Sequence, residues 1–257
     1  MAEIQIRYDD GDAYERMMGT WSRAAGEIFL DWLAPPRGLR WIDVGCGTGS
    51  FTKLAPAEVE GVDPSGAQLS FARARHLGQI AKFQQGDAQA LPFSDERFDA
   101  AVMALVIFFV PDPAKGINEM VRVVRPGGTV AAYIWDMTDG GHPLELMHAE
   151  MNAMGLTAPW PPRSDITGLE ALRRLWSDAA LNQIESHEIT VHRTFADFED
   201  YWTTSTLAAT VSQTIAAMAP TELQHLKTRM RARLTADATG HITCSACVNA
   251  IRGSRSK

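Results

Sequence analysis

Three glycines, Gly45, Gly47 and Gly49, stand at every second position in the stretch WIDVGCGTGSFT, residues 41–52. Glycine at this density lets a chain turn tightly and lets a ligand approach the backbone closely. The stretch follows a short apolar run, and the spacing predicts a strand, a loop and then a helix. Free N–H groups at the start of that helix would face an anionic or polar ligand. A dinucleotide loop, G-x-G-x-x-G, needs its third glycine at position 50, and Ser50 stands there. Asp43, at the end of the run, would repel a pyrophosphate but suits a ligand carrying an ammonium or sulfonium cation. The pattern therefore favours a cationic nucleoside over NAD. Further acids follow at Asp63 and Asp87, each at the end of an apolar stretch. Taken alone, either could simply cap a helix or a turn.

The elements that position these residues alternate. Residues 39–44, 58–63, 81–87, 98–103 and 129–135 read as buried strands. A helix is predicted over 63–75, with Ser65 or Asp63 at its cap. Another opens at Asp112-Pro113, with Ile117, Met120, Val121 and Val124 on one face. RPGG, residues 125–128, turns the chain into the fifth strand. Repeated units of this kind predict a doubly wound, Rossmann-like, mostly parallel seven-stranded sheet, with helices on both faces and a helical cap. Ligands of such sheets sit beyond the carboxyl ends of the strands, at the switch point. That requires a cavity at the rim, with Asp63 facing it. Later segments predict a short helix over 144–154, a helix over 168–179, a strand over 188–195, two or three helices within 196–236 and a strand over 241–251. The whole reads as one domain over 1–257, with an N-terminal helical segment 1–35 and cap insertions at about 137–166 and 196–236. Within the N-terminal segment, Asp12 and Glu15 form a capping-box pattern, and a helix is predicted over 22–33.

The ordered motifs DVGCGTG (43–49), GVDPS (61–65), GDA (86–88), FDA (98–100) and RPGG (125–128) resemble those of class I S-adenosylmethionine-dependent methyltransferases. The branch that they resemble includes the ubiquinone and menaquinone methyltransferases. The resemblance covers roughly residues 40–135. It implies S-adenosylmethionine as cofactor and a small-molecule methyl acceptor. It also implies backbone contacts to the methionine part from Gly45, Cys46 and Gly47, and bidentate acceptance from the ribose hydroxyls by Asp63. Pro64 and Gln68 would lie beside the ribose or adenine. Asp87 would accept from the adenine amino group, and the Ala88 N–H would donate to the ring. Met103 and Ala104 would lie near the methionine amino group, and Tyr14 near its carboxylate. Relatives often carry a histidine or polar residue after the fourth strand, where this chain has ALVIFFV (104–110). Phe108 and Phe109 there are either a pocket wall or core, and the sequence names no general base.

Other residues have plainer readings. Cys46 is a packing residue, and Asp99 fixes a turn. His142 and His148 read as surface histidines of the lid region. Trp21, Trp160 and Trp202 either wall a pocket or pack. Cys244 and Cys247 form a C-x-x-C on a predicted strand, where positions three apart point to opposite faces, with no second pair to complete a metal site. The balance of 24 basic against 31 acidic residues, net −7, disfavours nucleic acid as a bulk-charge partner. The longest apolar run, 100–110, is too short for a membrane span of about 20 residues. With no export signal recognised, a cytoplasmic location is expected. Two competing readings are a SAM-binding regulator without catalysis and a nucleotide-dependent oxidoreductase; the Ser50 mismatch and Asp43 weigh against the second. Oligomeric state and acceptor identity are not legible.

Overall fold

The structure is a computed structural model that describes residues 15–55, 58–75 and 81–257. Asp12 and Tyr14 lie outside the described residues. Seven strands form one sheet: β1 (Arg40–Val44), β2 (Glu58–Asp63), β3 (Ala81–Gln85), β4 (Phe98–Ala104), β5 (Val124–Trp135), β6 (Asn182–Phe195) and β7 (Ile242–Ser254). Their order is β3-β2-β1-β4-β5-β7-β6. The pairs from β3 across to β5 are parallel, and β7 runs antiparallel to both of its neighbours. The sheet is thus mostly parallel, as expected. The chain starts at β1, moves outward to β3, then crosses back to β4. The switch point therefore lies between β1 and β4, at the end of the glycine stretch.

Sequence patterning explains these strands. Ala100–Met103 of β4 and Val130–Trp135 of β5 are wholly buried, as strands covered on both faces must be. Among the described residues eight helices surround the sheet: α1 (Thr20–Leu33), α2 (Gly66–Ala74), α3 (Pro113–Val123), α4 (Glu145–Ala153), α5 (Leu169–Asp178), α6 (Phe198–Ser205), α7 (Ser212–Ala217) and α8 (Pro220–Arg233). The two predicted caps are formed. Ser65 Oγ accepts from Gln68 N at 3.3 Å, and Asp112 Oδ1 accepts from Lys115 N at 3.0 Å. Both faces of the sheet are covered. Arg252 of β7 lies over the Trp32 ring of α1, whereas the adjacent Gly253 faces Trp176 of α5.

Three expectations differ from the fold. No regular helix follows the glycine stretch; residues 47–54 form turns. Thr48, Ser50 and Thr52 spend their hydroxyls on distant carboxylates, and Pro56 follows closely, so the stretch is too short and too poor in helix formers to propagate. The face of α3 ends at Val123, because Val124 already belongs to β5, which runs through RPGG. β6 begins at Asn182 rather than 188. Its first half pairs with β7 but is largely exposed, so it carries little apolar signal. α1 is preceded by a single π-helical turn, Glu15–Gly19.

Candidate functional site

The loop after β1 is shaped by three left-handed glycines, with φ of +75° at Gly45, +51° at Gly47 and +77° at Gly49. Side chains are strained there. Its donors turn inward. The Gly45 and Cys46 N–H groups both donate to the Val62 carbonyl, at 2.7 and 3.0 Å, and Gly49 N donates to Cys46 O at 2.8 Å. Gly47 N donates to Asp63 Oδ2 at 2.9 Å, and Ser65 N to Asp63 Oδ1 at 2.8 Å. The free N–H groups expected at a helix start are therefore not present at Gly45, Cys46 or Gly47. Cys46 packs its thiol against Gly61, where an added Cβ would stand 2.9 Å from Sγ, and burial pushes that thiol up.

Asp63 faces the loop, and burial, opposed by the Ser65 and Gly47 bonds, raises its carboxyl. Asp43 lies deeper, 1% exposed. Its Oδ2 accepts from Thr52 Oγ1 at 2.5 Å, while its buried Oδ1 has no partner among the described residues. Burial pushes the Asp43 carboxyl up to about 7, with the Asp63 charge adding and the Thr52 hydroxyl opposing. A buried carboxylate with an orphan oxygen is costly unless a donor or cation completes it.

The other expected contacts are spread along the same rim. Gln68, on α2, brings Oε1 to 4.0 Å from where a Cβ on Gly47 would be. Pro64 is exposed, and its carbonyl accepts from Gln85 Nε2 at 2.8 Å. Asp87, past the end of β3, is exposed and accepts from Gln89 N at 2.8 Å; Ala88 beside it is half-buried. Met103 is fully buried, and its methyl lies 3.3 Å from a Cβ built on Gly116 of α3. Only its backbone is left for a ligand. Ala104 is half-buried at the end of β4. Leu105 then takes φ +61°, a strained state for a non-glycine residue, and turns the chain so that Val106 presses on Gly45.

Sequence reasoning missed a third acid at the loop. Glu15 Oε1, from the π turn, accepts from Thr48 Oγ1 at 2.7 Å and Ser50 Oγ at 2.6 Å, and pairs with Arg75 at 2.6 Å. Burial alone would raise Glu15, but the bonds from Ser50, Thr48 and Arg75 together hold it below the usual carboxylate range. The alternating hydroxyls at 48, 50 and 52 were the available signal. The π turn is held from its other end by Arg193 of β6, which donates to Met17 O at 2.6 Å and Arg16 O at 3.1 Å. Asp99, expected to fix a turn, instead ties three strands together: within β4 it accepts from Arg40 N of β1 and Arg125 Nε of β5.

His142 and His148 are not surface residues; they are 7% and 1% exposed. His148 stacks on Trp160, with ring centres 3.9 Å apart, and His142 meets the same ring edge-on at 5.1 Å. Burial lowers His142 to about 3, with His148 adding, and lowers His148 to about 4. The glycine stretch contributes no side chain to this cluster. Phe108 is core, and Phe109 is half-buried beside it. Trp21 is buried, and Trp202 stacks on Phe198. Cys244 and Cys247 are free thiols on β7.

Two cavities bordered by described residues lie away from the glycine loop. A cleft of about 230 Å³ at the opposite end of the sheet is lined in part by Leu33, Pro36, Trp41 and Arg252. Another, of about 340 Å³, lies beside α6 and α8 near Phe198 and Arg231. Neither gathers the glycines and acids, so chemistry rather than volume locates the site. Val106 and Glu15 both lie against the loop.

Residues 42–132 match a family described as a methyltransferase domain. An uncharacterised protein of Mycobacterium tuberculosis is 40% identical over 103 residues, covering 38% of this chain and 38% of that protein. The 2-phytyl-1,4-naphtoquinone methyltransferase of Thermosynechococcus vestitus is 34% identical over 125 residues, covering 46% and 53%. The match thus spans about half or less of these curated relatives. Among solved structures, the Haemonchus contortus phosphoethanolamine N-methyltransferase 2 in complex with phosphomonomethylethanolamine and S-adenosylhomocysteine aligns with a TM-score of 0.60 at 19% identity. That alignment covers 97% of this chain and 58% of the other.

Proposed function

We propose that this chain, whose residues 42–132 match a methyltransferase domain, transfers a methyl group from S-adenosylmethionine to a small organic acceptor. The observation that carries this reading is the buried Asp43 carboxylate, with an orphan oxygen beneath a loop of three left-handed glycines. A cationic aminoacyl nucleoside fits that donor set, and a pyrophosphate does not.

The residues fit the cofactor. Asp63 uses two of its roughly four lone-pair sites on Gly47 and Ser65, leaving two for vicinal ribose hydroxyls. Asp87, exposed one strand further out, can accept from an adenine amino group, with the Ala88 backbone and the Gln68 and Pro64 side chains beside the nucleoside. Gly45, Cys46 and Gly47 present a backbone surface to the methionine part, and the Met103 and Ala104 carbonyls lie toward its ammonium. When bound, S-adenosylmethionine supplies an electrophilic methyl carbon on a sulfonium. The chain's own work is to hold donor and acceptor in line and to exclude water. Asp43 supports the cationic end, and Val106 and Phe109 keep the β4 side of the rim dry. Among the described residues no helix is long and apolar enough to cross a membrane. The net charge of −7 favours a neutral or small acceptor over nucleic acid.

Titration calorimetry with S-adenosylmethionine and with NAD tests the reading. Binding of the first and not the second is expected, with at least a tenfold loss of affinity in Asp63→Ala. Tight NAD binding with no response to S-adenosylmethionine would overturn it. Transfer of labelled methyl to a metabolite extract separates an enzyme from a SAM-binding regulator.

A further inference from the structure

We propose that His142 is a neutral hydrogen-bond donor to the methyl acceptor, and that the cluster it forms with His148 and Trp160 selects an uncharged planar acceptor presenting an oxygen. The inference rests on the methyl-transfer reading and adds its acceptor side.

Position comes first. Asp43 is in register with Val102 of β4, and Val102 with Ala131 of β5. Val44, Met103 and Ala132 therefore share one level. Trp135 stands three residues beyond it, roughly 10 Å further toward the rim. His142 meets the Trp135 ring edge-on at 6.5 Å. The cluster thus overhangs the carboxyl end of the sheet, two strands from the glycine loop. The cap is tied to the β4 side, because Arg163 N donates to Phe108 O at 3.1 Å. A cofactor running from Asp63 over β1 to β4 would direct its reactive end toward this overhang.

Protonation comes next. Leu144 N donates to His142 Nδ1 at 3.1 Å, so that nitrogen carries the lone pair and the neutral ring carries its proton on Nε2. His142 Nε2 has no hydrogen bond among the described residues. His148 Nε2 is within 3.4 Å of Thr210 Oγ1, and its ring covers one face of Trp160. The fixed tautomer makes His142 a donor and denies it the role of proton acceptor. Burial keeps both rings neutral at physiological pH.

The surroundings define the ligand. Leu144 and Met147 of the same segment are buried, and Trp160 keeps part of its surface open. Arg229 and Arg233 of the neighbouring α8 are committed to Glu150 at 2.7 and 2.9 Å. A carboxylate or phosphate would therefore be desolvated there without a counter-ion. A flat neutral ring gains aromatic contact, and its oxygen can take the Nε2 proton donor.

Binding of 2-naphthol, naphthalene and 2-naphthoate to the whole chain in the presence of S-adenosylhomocysteine tests this. 2-Naphthol is expected to bind at least tenfold more tightly than either of the others. His142→Phe keeps a ring but loses the donor, and should lose about tenfold for 2-naphthol and nothing for naphthalene. His142→Gln, which restores an N–H, should stay within about threefold of wild type. Cofactor affinity should be unchanged in both variants. Equal 2-naphthol binding by wild type and His142→Phe, equal losses for naphthol and naphthalene, or a preference for naphthoate would overturn the proposal. A wild-type protein that binds no S-adenosylmethionine sinks the underlying reading instead. Intact cofactor binding with no naphthol binding sinks only this one.

Discussion

Asp43 and Asp63 are neighbouring buried carboxyls with different duties. Each Asp63 oxygen accepts one hydrogen bond, whereas one oxygen of Asp43 has no partner among the described residues. The folded Asp43 carboxyl stands at about 7 against an ordinary 3.8. The fold therefore holds a proton that the unfolded chain has released. The stability this gives is complete below about 3.8 and is lost as pH rises toward about 7, at no more than about 1.4 kcal/mol per unit. Asp43→Asn, which cannot ionise, should be more stable than wild type at pH 7.5 by thermal melting and closely matched near pH 4. It should also lose cofactor affinity. A cation beside Asp43 favours its charged form, so wild-type affinity should climb with pH until about 7 and then level off. A flat affinity profile would show that the carboxyl does not meet the ligand. Asp43 and Asp63 were readable because each closes an apolar strand beside glycines. His142 and His148 were not, because their burial comes from Trp160 and the cap, which no local pattern encodes.

At the scale of elements, the π turn is a strap with two anchors. Glu15 grips the hydroxyls of the loop, and Arg193 reaches from β6 to hold the turn's carbonyls. Charge-assisted bonds of this kind contribute about 1.5–3 kcal/mol each. Glu15→Gln should therefore raise hydrogen exchange of the loop amides around 47–50 about tenfold, and Arg193→Ala should do so through the strap alone. Unchanged exchange in Glu15→Gln would mean that the loop is held by Asp63 and Val62 without help. The strand-helix order through β5 was legible because buried parallel strands are continuous apolar runs and Asp112-Pro113 is a strong start signal. The stretch after the glycines misled because a strand and loop raise the expectation of a helix. Its alternating hydroxyls are better employed on Glu15 and Asp43. The early half of β6 escaped notice because an exposed edge strand needs no apolar alternation.

For the molecule as a whole, the two neutral histidines set its response to acid. Their folded values, about 3 and about 4, lie below the ordinary 6.5. The unfolded chain therefore takes up protons first as pH falls. Each histidine should cost up to about 1.4 kcal/mol per unit between 6.5 and its folded value, with Asp43 opposing over part of that range. Denaturation midpoints should drop from pH 7 to pH 5 in wild type and drop less in His148→Phe. Equal slopes would show that His148 titrates normally in the fold. The mostly parallel sheet and its helices on both faces were readable from sequence. The packing of Val106 and Glu15 against the glycine loop was not, because it joins residues far apart in the chain.

The placement of β7 between β5 and β6 has a consequence for how the chain reaches this state. During synthesis, β6 emerges long before the strand that must separate it from β5. Until β7 emerges, the β5 edge has no strand neighbour on that side, and β6 has no strand to pair with. Pairings this distant in sequence are slow to close. Arg193 rides on β6, so the anchoring of the strap waits on the same late event. The glycine loop can take its bonds to Val62 and Asp63 early, whereas the far anchor of the strap that reinforces it is set only once the sheet is complete.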